Sequence, residues 1–335
     1  MAAQIKAPVN MSQANIRKPQ LINKIEGHSD DVNMAIITPQ EEGVITASDD
    51  RTVRVWLKRD TGQYWPSICH TMQCAASCID FNAETRKLFV GLENGTICEY
   101  QVADDYNKMN HVRDYLGSVR SLAWDDERSL LFSASFDQSI IVWDIGGRQG
   151  TAFELQGHHD RVQSVVYASS SKQLLSAGDD CILAIWDMDV KRQETPDWAE
   201  SDMCQKCNSP FFWNVKTMWE MKTIGVRQHH CRHCGKAICA KCSQNKSTIP
   251  VMGYEYEVRV CDQCHSDLSD EDRAPMATFH DTKQSVTFMS LDSTRKQLLT
   301  VGKDRVIKVA ANSVVCPKCD QAPRLKSDSL LVLSS

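Results

Sequence analysis

The feature that most constrains the fold is a sequence unit that recurs along the chain with a period of about 40 residues. The segment "EGHSDDVNMAII…GVITASDDRTVRVW" (26–56) is repeated as "QGHHDRVQSVVY…LLSAGDDCILAIW" (156–186). In each copy a histidine precedes an aspartate by 22 positions, and a tryptophan follows six positions later. These residues are His28, Asp50 and Trp56 in the first copy, and His158, Asp180 and Trp186 in the second.

Three further segments repeat part of this unit, at 129–144, 87–100 and 297–310. Each unit has the pattern of short alternating strands separated by tight turns. A repeat of this period that ends in Trp-Asp resembles the WD40 repeat, whose units form the four-stranded blades of a β-propeller. The resemblance implies a mainly β fold with about five recognisable blades. That is fewer than such propellers usually contain, so we expect one or two blades to be absent.

The histidine and aspartate of each unit are candidates for either a structural or a catalytic pair. We predict a structural pair, in which the two side chains satisfy each other's hydrogen-bonding groups below the surface. The tryptophan is predicted to pack between blades.

The repeats are interrupted, which divides the chain into five regions. We expect a flexible N-terminus (1–20), propeller repeats (21–196), a domain inserted in the loop between two blades (198–272), a last repeat (276–310) and an irregular tail (311–335). The strand 21–26 is expected to complete the last blade and so close the ring.

The inserted region contains four C-x2-C pairs, a strong signal for two zinc sites with four cysteine ligands each. Clustered cysteines in an intracellular chain are more typical of metal binding than of disulfides. The four residues between the second and third pairs are too few for two compact sites in series, so a cross-braced arrangement is favoured. The predicted ligands of the two Zn²⁺ ions are Cys204, Cys207, Cys239 and Cys242 for the first, and Cys231, Cys234, Cys261 and Cys264 for the second.

The segments "RQHHCRHCGKAICAKCS" (227–243) and "VRVCDQC" (258–264) resemble the FYVE domain, a two-zinc module that recognises phosphatidylinositol 3-phosphate on endosomal membranes. A FYVE domain placed before the last blade of a propeller resembles the family of WD-repeat-and-FYVE-domain-containing proteins, here in a shortened form with an atypical C-terminal tail. The resemblance implies that the headgroup ligands are Arg227, His229, His230, Arg232 and Arg259.

Two positions depart from the FYVE pattern. Gln228 stands where a lysine or arginine is usual, which removes one positive charge. Asp202 lies four residues after Trp198 rather than three, which puts its role as the orienter of a histidine in doubt.

The charge distribution agrees with an anionic ligand for this region. The chain carries a formal charge of −5, whereas the stretch from Lys216 to Lys246 has seven basic residues and one acidic residue, Glu220. Arginine provides several N–H donors in a fixed geometry that suits a phosphate group. Some of this positive charge is also expected to balance the zinc thiolates.

The segment before the basic run is unusually apolar. By position, Ile224, Gly225 and Val226 match the FYVE loop that enters the bilayer, and we predict membrane contact there. For the residues from Phe211 to Trp219 we favour packing against the zinc core or the propeller.

Together these features predict a non-enzymatic adaptor, peripheral on the cytosolic face of early endosomes. We expect it to bind phosphatidylinositol 3-phosphate through the inserted domain and protein partners through the propeller, with avidity added either by self-association into a homo-oligomer or by a second contact. The alternative is a RING-like cross-braced module of a ubiquitin ligase, with the propeller as substrate receptor. Nucleic-acid binding is not expected, because the basic run lacks interleaved aromatic residues.

Overall fold

The structure is a computed structural model that describes residues 21–39, 42–116, 119–146, 150–292, 294–311 and 331–333. It is mainly β, as predicted, and contains five antiparallel four-stranded blades of a propeller, the third of which is extended to a six-stranded sheet by two strands of the inserted domain. A small two-zinc domain is inserted into the fourth blade. No helix among the described residues is both long enough and apolar enough to cross a membrane.

Each blade takes its strands in chain order, apart from the insertion. The first blade contains β1 (Val32–Ile37), β2 (Gly43–Ser48), β3 (Thr52–Lys58) and β4 (Tyr64–Thr71). The second contains β5 (Ala76–Asn82), β6 (Lys87–Leu92), β7 (Thr96–Val102) and β8 (Met109–Leu116). The third contains β9 (Ser121–Asp125), β10 (Leu130–Ala134), β11 (Ser139–Asp144) and β12 (Gly150–Gln156). The fourth contains β13 (Val162–Ala168), β14 (Gln173–Gly178), β15 (Ile182–Asp187) and β20 (Ala277–Asp281). The fifth contains β21 (Val286–Asp292), β22 (Gln297–Gly302), β23 (Ile307–Ala311) and β24 (Leu331–Leu333).

The inserted domain has two short helices and four short strands. The helices are α1 (Val215–Met221) and α2 (Asp262–Asp267). The strands are β16 (Gln228–His230), β17 (Ala237–Cys239), β18 (Lys246–Ile249) and β19 (Tyr254–Arg259).

The structural role predicted for the histidine–aspartate pairs is confirmed. His28 Nδ1 lies 2.8 Å from Asp50 Oδ2, and the matching distance from His158 to Asp180 is 2.7 Å. Because a carboxylate only accepts, the histidine Nδ1–H donates. In the first blade the chain continues from His28 Nε2 to Thr46 Oγ1 at 2.7 Å, and Thr46 accepts from the indole of the buried Trp56 at 2.9 Å.

The insertion lies within the fourth blade, not between two blades as expected. Its chain leaves after β15 and returns to form β20, which pairs with β15 as the outer strand. The difference arises because a sequence unit ends with the tryptophan of the third strand, whereas the blade takes its fourth strand from the start of the next unit. The insertion also extends the third blade, since β19 pairs in parallel with β12 through Gln156 and Tyr254.

The expected ring closure by residues 21–26 is wrong. These residues are not in a strand, and the fourth strand of the fifth blade is Leu331–Leu333, which pairs with β23. The chain just after them is held by the first blade itself, because the carbonyl of Gly27 accepts from Arg54 Nη1 at 2.8 Å. The predicted flexible segment 1–20 lies outside the described residues, as does most of the predicted irregular tail (312–330).

Candidate functional site

The inserted domain brings its eight predicted cysteine ligands together in two groups. In each group all four sulfur atoms lie within 4.8 Å of one another. The grouping is the cross-braced one, because each site combines one C-x2-C pair with the next but one along the chain. The groups are Cys204, Cys207, Cys239 and Cys242, and Cys231, Cys234, Cys261 and Cys264.

Hydrogen bonds from neighbouring groups favour the thiolate form at two of the predicted ligands, Cys207 and Cys231. The backbone N–H of Cys239 points to the sulfur of Cys204 at 3.3 Å, and that of Cys261 to the sulfur of Cys231 at 3.2 Å. Burial opposes a charge at Cys231, but backbone hydrogen bonds outweigh it and lower the pKa of that thiol. The hydroxyl of Ser209 is the main cause that lowers the pKa of Cys207 to about 6. A four-thiolate tetrahedron is the ligand set of structural zinc, so the domain holds two Zn²⁺ ions in closed sites.

The zinc ligands are continuous with a small apolar core, which ties metal binding to folding. The fully buried side chains around them include Phe211, Ile238, Ile249 and Val260. The segment between Cys231 and Cys239 therefore lies between two fixed points, with a metal ligand at each end.

Strand β17 ends this anchored segment, and it fixes the position of the basic strand β16 by pairing with it. His229 pairs with Ile238 of β17, and the backbone N–H of Arg232 donates to the carbonyl of Arg259 at 3.0 Å. Burial is the first cause that lowers the pKa of His229, and the positive charges of Arg259, Arg227, Arg232 and His230 lower it further. All five predicted headgroup ligands thus share one electrostatic neighbourhood, where positive groups repel each other in the absence of an anion.

Two of the arginines are held by other side chains of the domain. Arg259 donates from Nη1 to the carbonyl of Ser243 at 2.6 Å and to its hydroxyl at 3.2 Å. The guanidinium of Arg232 lies 4.7 Å from the ring centre of Trp198, and it donates to the carbonyl of His230 at 3.4 Å. These contacts restrict the side-chain rotamers, which lowers the entropic cost of binding an anion.

Trp198 is a residue of the site to which the sequence analysis gave no role. Its ring stacks on His230, with centroids 4.9 Å apart and planes 13° from parallel. Asp202, whose role as an orienter was in doubt, instead accepts from the indole of Trp213 at 3.0 Å. The tryptophan of the WAESD segment therefore orients the histidine, and its presence before the first cysteine was the available signal.

Gln228 and His230 are also neighbours. The amide nitrogen of Gln228 lies 3.2 Å from Nε2 of His230, and the same histidine nitrogen lies 3.3 Å from the carbonyl oxygen of Ala199. The ring of His230 is thus held both by stacking and by polar contacts at its edge.

The predicted membrane loop divides into an exposed and a packed part. Ile224 is 87% exposed. Gly225 is buried, and a Cβ there would lie 2.7 Å from the sulfur of Met218. Val226 packs against the zinc core, so its predicted membrane contact does not follow from its position.

The interpretation of the preceding segment as a packed one holds for Phe211 but is wrong for most of its large side chains. Trp219 is 85% exposed and Val215 66%, one helical turn apart on α1. Phe212 and Trp213 are also more than half exposed. We call the exposed set, Phe212, Trp213, Val215, Trp219 and Ile224, the apolar surface of the zinc domain.

Comparisons with known proteins identify both parts of the chain. The family model for the FYVE zinc finger matches residues 195–270. The family model for the WD domain, G-beta repeat, matches residues 19–56, 109–144 and 150–187. The FYVE match covers the whole cross-braced domain, from before Cys204 to beyond Cys264.

Curated relatives align along nearly the whole chain. WD repeat and FYVE domain-containing protein 1 of Mus musculus is 41% identical over 397 positions, covering 92% of this chain and 96% of the relative. WD repeat and FYVE domain-containing protein 2 of Homo sapiens is 45% identical, covering 88% and 95%. WD repeat and FYVE domain-containing protein 2 of Caenorhabditis elegans is 36% identical, covering 94% of this chain and 98% of the relative.

The mouse alignment is longer than the matched part of this chain. Since 92% of 335 residues is about 308, about 89 of the 397 aligned positions have no residue of this chain, which corresponds to roughly two repeats of about 40 residues.

Proposed function

This chain belongs to the family of WD repeat and FYVE domain-containing proteins, and on that premise we propose that it is a non-enzymatic adaptor for endosomal membranes. Its zinc domain binds phosphatidylinositol 3-phosphate in the cytosolic leaflet of early endosomes. Its propeller binds protein partners. The observation that carries the proposal is the group of cationic side chains around His229, held on a frame that the two zinc sites fix.

The chemistry of the ligand matches this group. A phosphomonoester is a dianion that accepts several hydrogen bonds, and guanidinium and imidazole groups supply donors from different directions. Trp198 contacts Arg232, and Ser243 accepts a hydrogen bond from Arg259. Both arginine side chains are therefore ordered before the ligand binds, which lowers the entropic cost of binding. The zinc ions, when bound, hold the strand and its loops in place, and the chain's own side chains make the contacts with phosphate.

The apolar surface supplies the second contact with the membrane. Ile224 precedes the basic strand by a few residues, and its loop packs on α1, because the backbone N–H of Gly225 contacts the sulfur of Met218 at 2.9 Å. Exposed tryptophans favour the membrane interface, where an apolar ring with a polar N–H is well solvated. Lys216 lies on the same helix and Lys222 caps its C-terminal end, and because both are exposed they add attraction to anionic lipids.

The test is co-sedimentation of the full chain with vesicles that contain one phosphoinositide at a time. We expect binding to vesicles with the 3-phosphate in preference to the 4-phosphate, the 5-phosphate and the unphosphorylated lipid. Arg227→Gln should weaken this binding, because the exposed Arg227 contributes to the positive field without a role in the core. Lys283→Gln removes the same charge from an exposed propeller turn and serves as the control. Equal binding to all four vesicles contradicts the proposal.

A further inference from the structure

The propeller repeats one type of contact between consecutive blades. Each of the first four blades packs the face formed by its first two strands against the first strand of the next blade. Four hydrophobic clusters form these contacts, and each joins neighbouring blades: first with second, second with third, third with fourth, and fourth with fifth. Within the described part of the chain, no hydrophobic cluster contains residues of both the fifth and the first blade.

The first strand of the first blade has an exposed apolar face. Val32 and Val162 are equivalent, since each follows the histidine of its repeat by four positions and pairs at the same register. Val162 is fully buried against the third blade, whereas Val32 is 51% exposed. Ile37 at the other end of β1 is 68% exposed. These side chains lie where a preceding blade would cover them.

The fifth blade has the complementary free face. Its segment "QLLTVGKD" (297–304) is equivalent to "QLLSAGDD" (173–180) of the fourth blade. Leu175 and Ala177 of the fourth blade are buried against the fifth, at 1% and 0% exposure. Their counterparts in the fifth blade, Leu299 and Val301, are half-buried, and the neighbouring Phe288 is 46% exposed.

The charges at the rim of these two faces are also complementary. Where the fourth blade meets the fifth, Asp179 accepts from Lys303 at 2.7 Å and from the hydroxyl of Ser285 at 2.6 Å. Lys303 itself occupies the position in the fifth blade that Asp179 occupies in the fourth. The positions in the first blade that match Lys303 and Ser285 are held by Asp49 and Asp31. The same contact, with its charges reversed, can therefore form between the fifth and first blades.

We propose that the fifth blade of one copy of this chain packs against the first blade of a second copy, with Lys303 opposite Asp49 and Asp31. The contact uses the packing that the molecule already makes four times between its own blades. It is a head-to-tail contact between two different surfaces, which generates open assemblies unless the rotation closes. Two copies would supply ten blades, more than the four to eight of typical closed propellers, so the assembly stays open-ended.

The inference goes beyond the proposed function and does not depend on it, because it concerns the free protein. If both hold, the assembly places several lipid-binding domains on one membrane. Linked binding sites then raise the avidity without any new lipid contact.

The test is the mass of the lipid-free full chain, measured by light scattering and sedimentation over a wide range of concentrations. We expect the average mass of the wild type to rise with concentration to more than twice that of one chain. Val32→Asp and Leu299→Asp should each remain monomeric at every concentration. Val112→Asp is the control for Val32→Asp, since Val112 is 47% exposed on the outer strand of the second blade.

Mixing the two variants gives the sharpest result. The Val32→Asp chain keeps an intact fifth blade, and the Leu299→Asp chain keeps an intact first blade. An equal mixture should therefore form dimers and nothing larger. Circular dichroism and thermal melting check that each variant is folded. A wild type that is monomeric at all concentrations, single variants that still assemble, or a mixture that stays monomeric would each overturn the proposal.

Discussion

The backbone N–H of Gln156, in the outer strand of the third blade, donates to the carbonyl of Gly253 in the zinc domain at 2.8 Å. The side chain of Gln156 also accepts from the hydroxyl of Tyr256 at 2.5 Å. The link is strengthened near the start of the insertion, where Arg192 Nη1 donates to the carbonyl of Pro250 at 3.0 Å. The zinc domain is therefore bound to the propeller as an added strand, and its proposed lipid-binding surface has a defined orientation to the blades.

Gly253 lies at this junction in a position that has no room for a side chain. Its φ is +87°, and a Cβ there would lie 1.8 Å from the carbonyl oxygen of Glu154. Gly62 has a similar φ of +81°, but a Cβ on that residue would have open space around it to a distance of 4 Å. We expect Gly62→Ala to cost about 1 kcal/mol of unfolding free energy from backbone strain alone. Gly253→Ala should cost about 1–3 kcal/mol more, because of the clash.

Chemical denaturation of both variants measures this difference, and limited proteolysis shows where the structure opens. The junction between the domains should become the preferred cleavage region in Gly253→Ala and not in Gly62→Ala. Equal free energies of unfolding for the two variants would show that the close approach to Glu154 does not constrain the junction.

The repeat pattern was sufficient to predict the propeller, because each unit repeats the same strands and turns, and the histidine–aspartate pairs, because both partners lie in one unit. The cysteine spacing likewise predicted which four ligands form each zinc group. The strand that completes the fifth blade was not predictable in this way. Leu331–Leu333 is wholly apolar and residues 21–26 are half apolar, so either segment could form an outer strand, and the choice between them depends on which segment reaches the edge of β23.

The site was predictable where the side chains are part of a motif. The role of Trp198 was missed because its contact with His230 joins segments 32 positions apart. The exposure of Trp219 was missed for a different reason. Large apolar side chains normally pack in a core, and the sequence contains no local signal that distinguishes an exposed apolar helix from a buried one.

The buried hydrogen bonds of the WD units make the stability of the propeller dependent on pH. Burial by itself opposes the charge on Asp50, but hydrogen bonds from Thr52, His28 and Ser29 outweigh it and hold the pKa of Asp50 well below its usual range. A lowered pKa in the folded state contributes stability above the unfolded value of about 4, and this contribution is lost as the pH falls further. Asp50→Asn should therefore lower the melting temperature at pH 7 and reduce its acid dependence. Asp60→Asn, at an exposed turn, is the control and should melt like the wild type at each pH.

Loss of one ligand should remove one zinc ion and leave the propeller folded. We expect Cys261→Ser to contain about one zinc ion per chain instead of two, because three thiolates hold the metal much less tightly. Elemental analysis of purified protein measures the ratio. Cys69→Ser, at an exposed propeller cysteine, should retain both ions. A ratio of two in Cys261→Ser would contradict the ligand assignment.

Restoring the missing positive charge should strengthen binding to the proposed lipid. Gln228 lies on the basic strand beside His230, so Gln228→Arg adds a cation at the headgroup site. One added basic residue near an anionic surface contributes about 1 kcal/mol, or roughly fivefold in affinity at low salt. Gln284→Arg adds the same charge at an exposed propeller position and should have little effect. Vesicle binding at two salt concentrations distinguishes a local from a general charge effect.

Ile224 is exposed and Val226 is packed on the zinc core, so substitutions at these two residues should have different effects on vesicle binding and on stability. Ile224 is almost fully exposed, so Ile224→Ala should weaken vesicle binding severalfold and leave the unfolding free energy of the zinc domain unchanged. Val226 packs on the zinc core, so Val226→Ala should lower that free energy by about 1–2 kcal/mol. Any effect of Val226→Ala on vesicle binding should then disappear under conditions where the domain is fully folded. If Ile224→Ala destabilises the domain, or if Val226→Ala weakens binding of the folded domain as strongly as Ile224→Ala does, the loop contacts the membrane differently from its position in this structure.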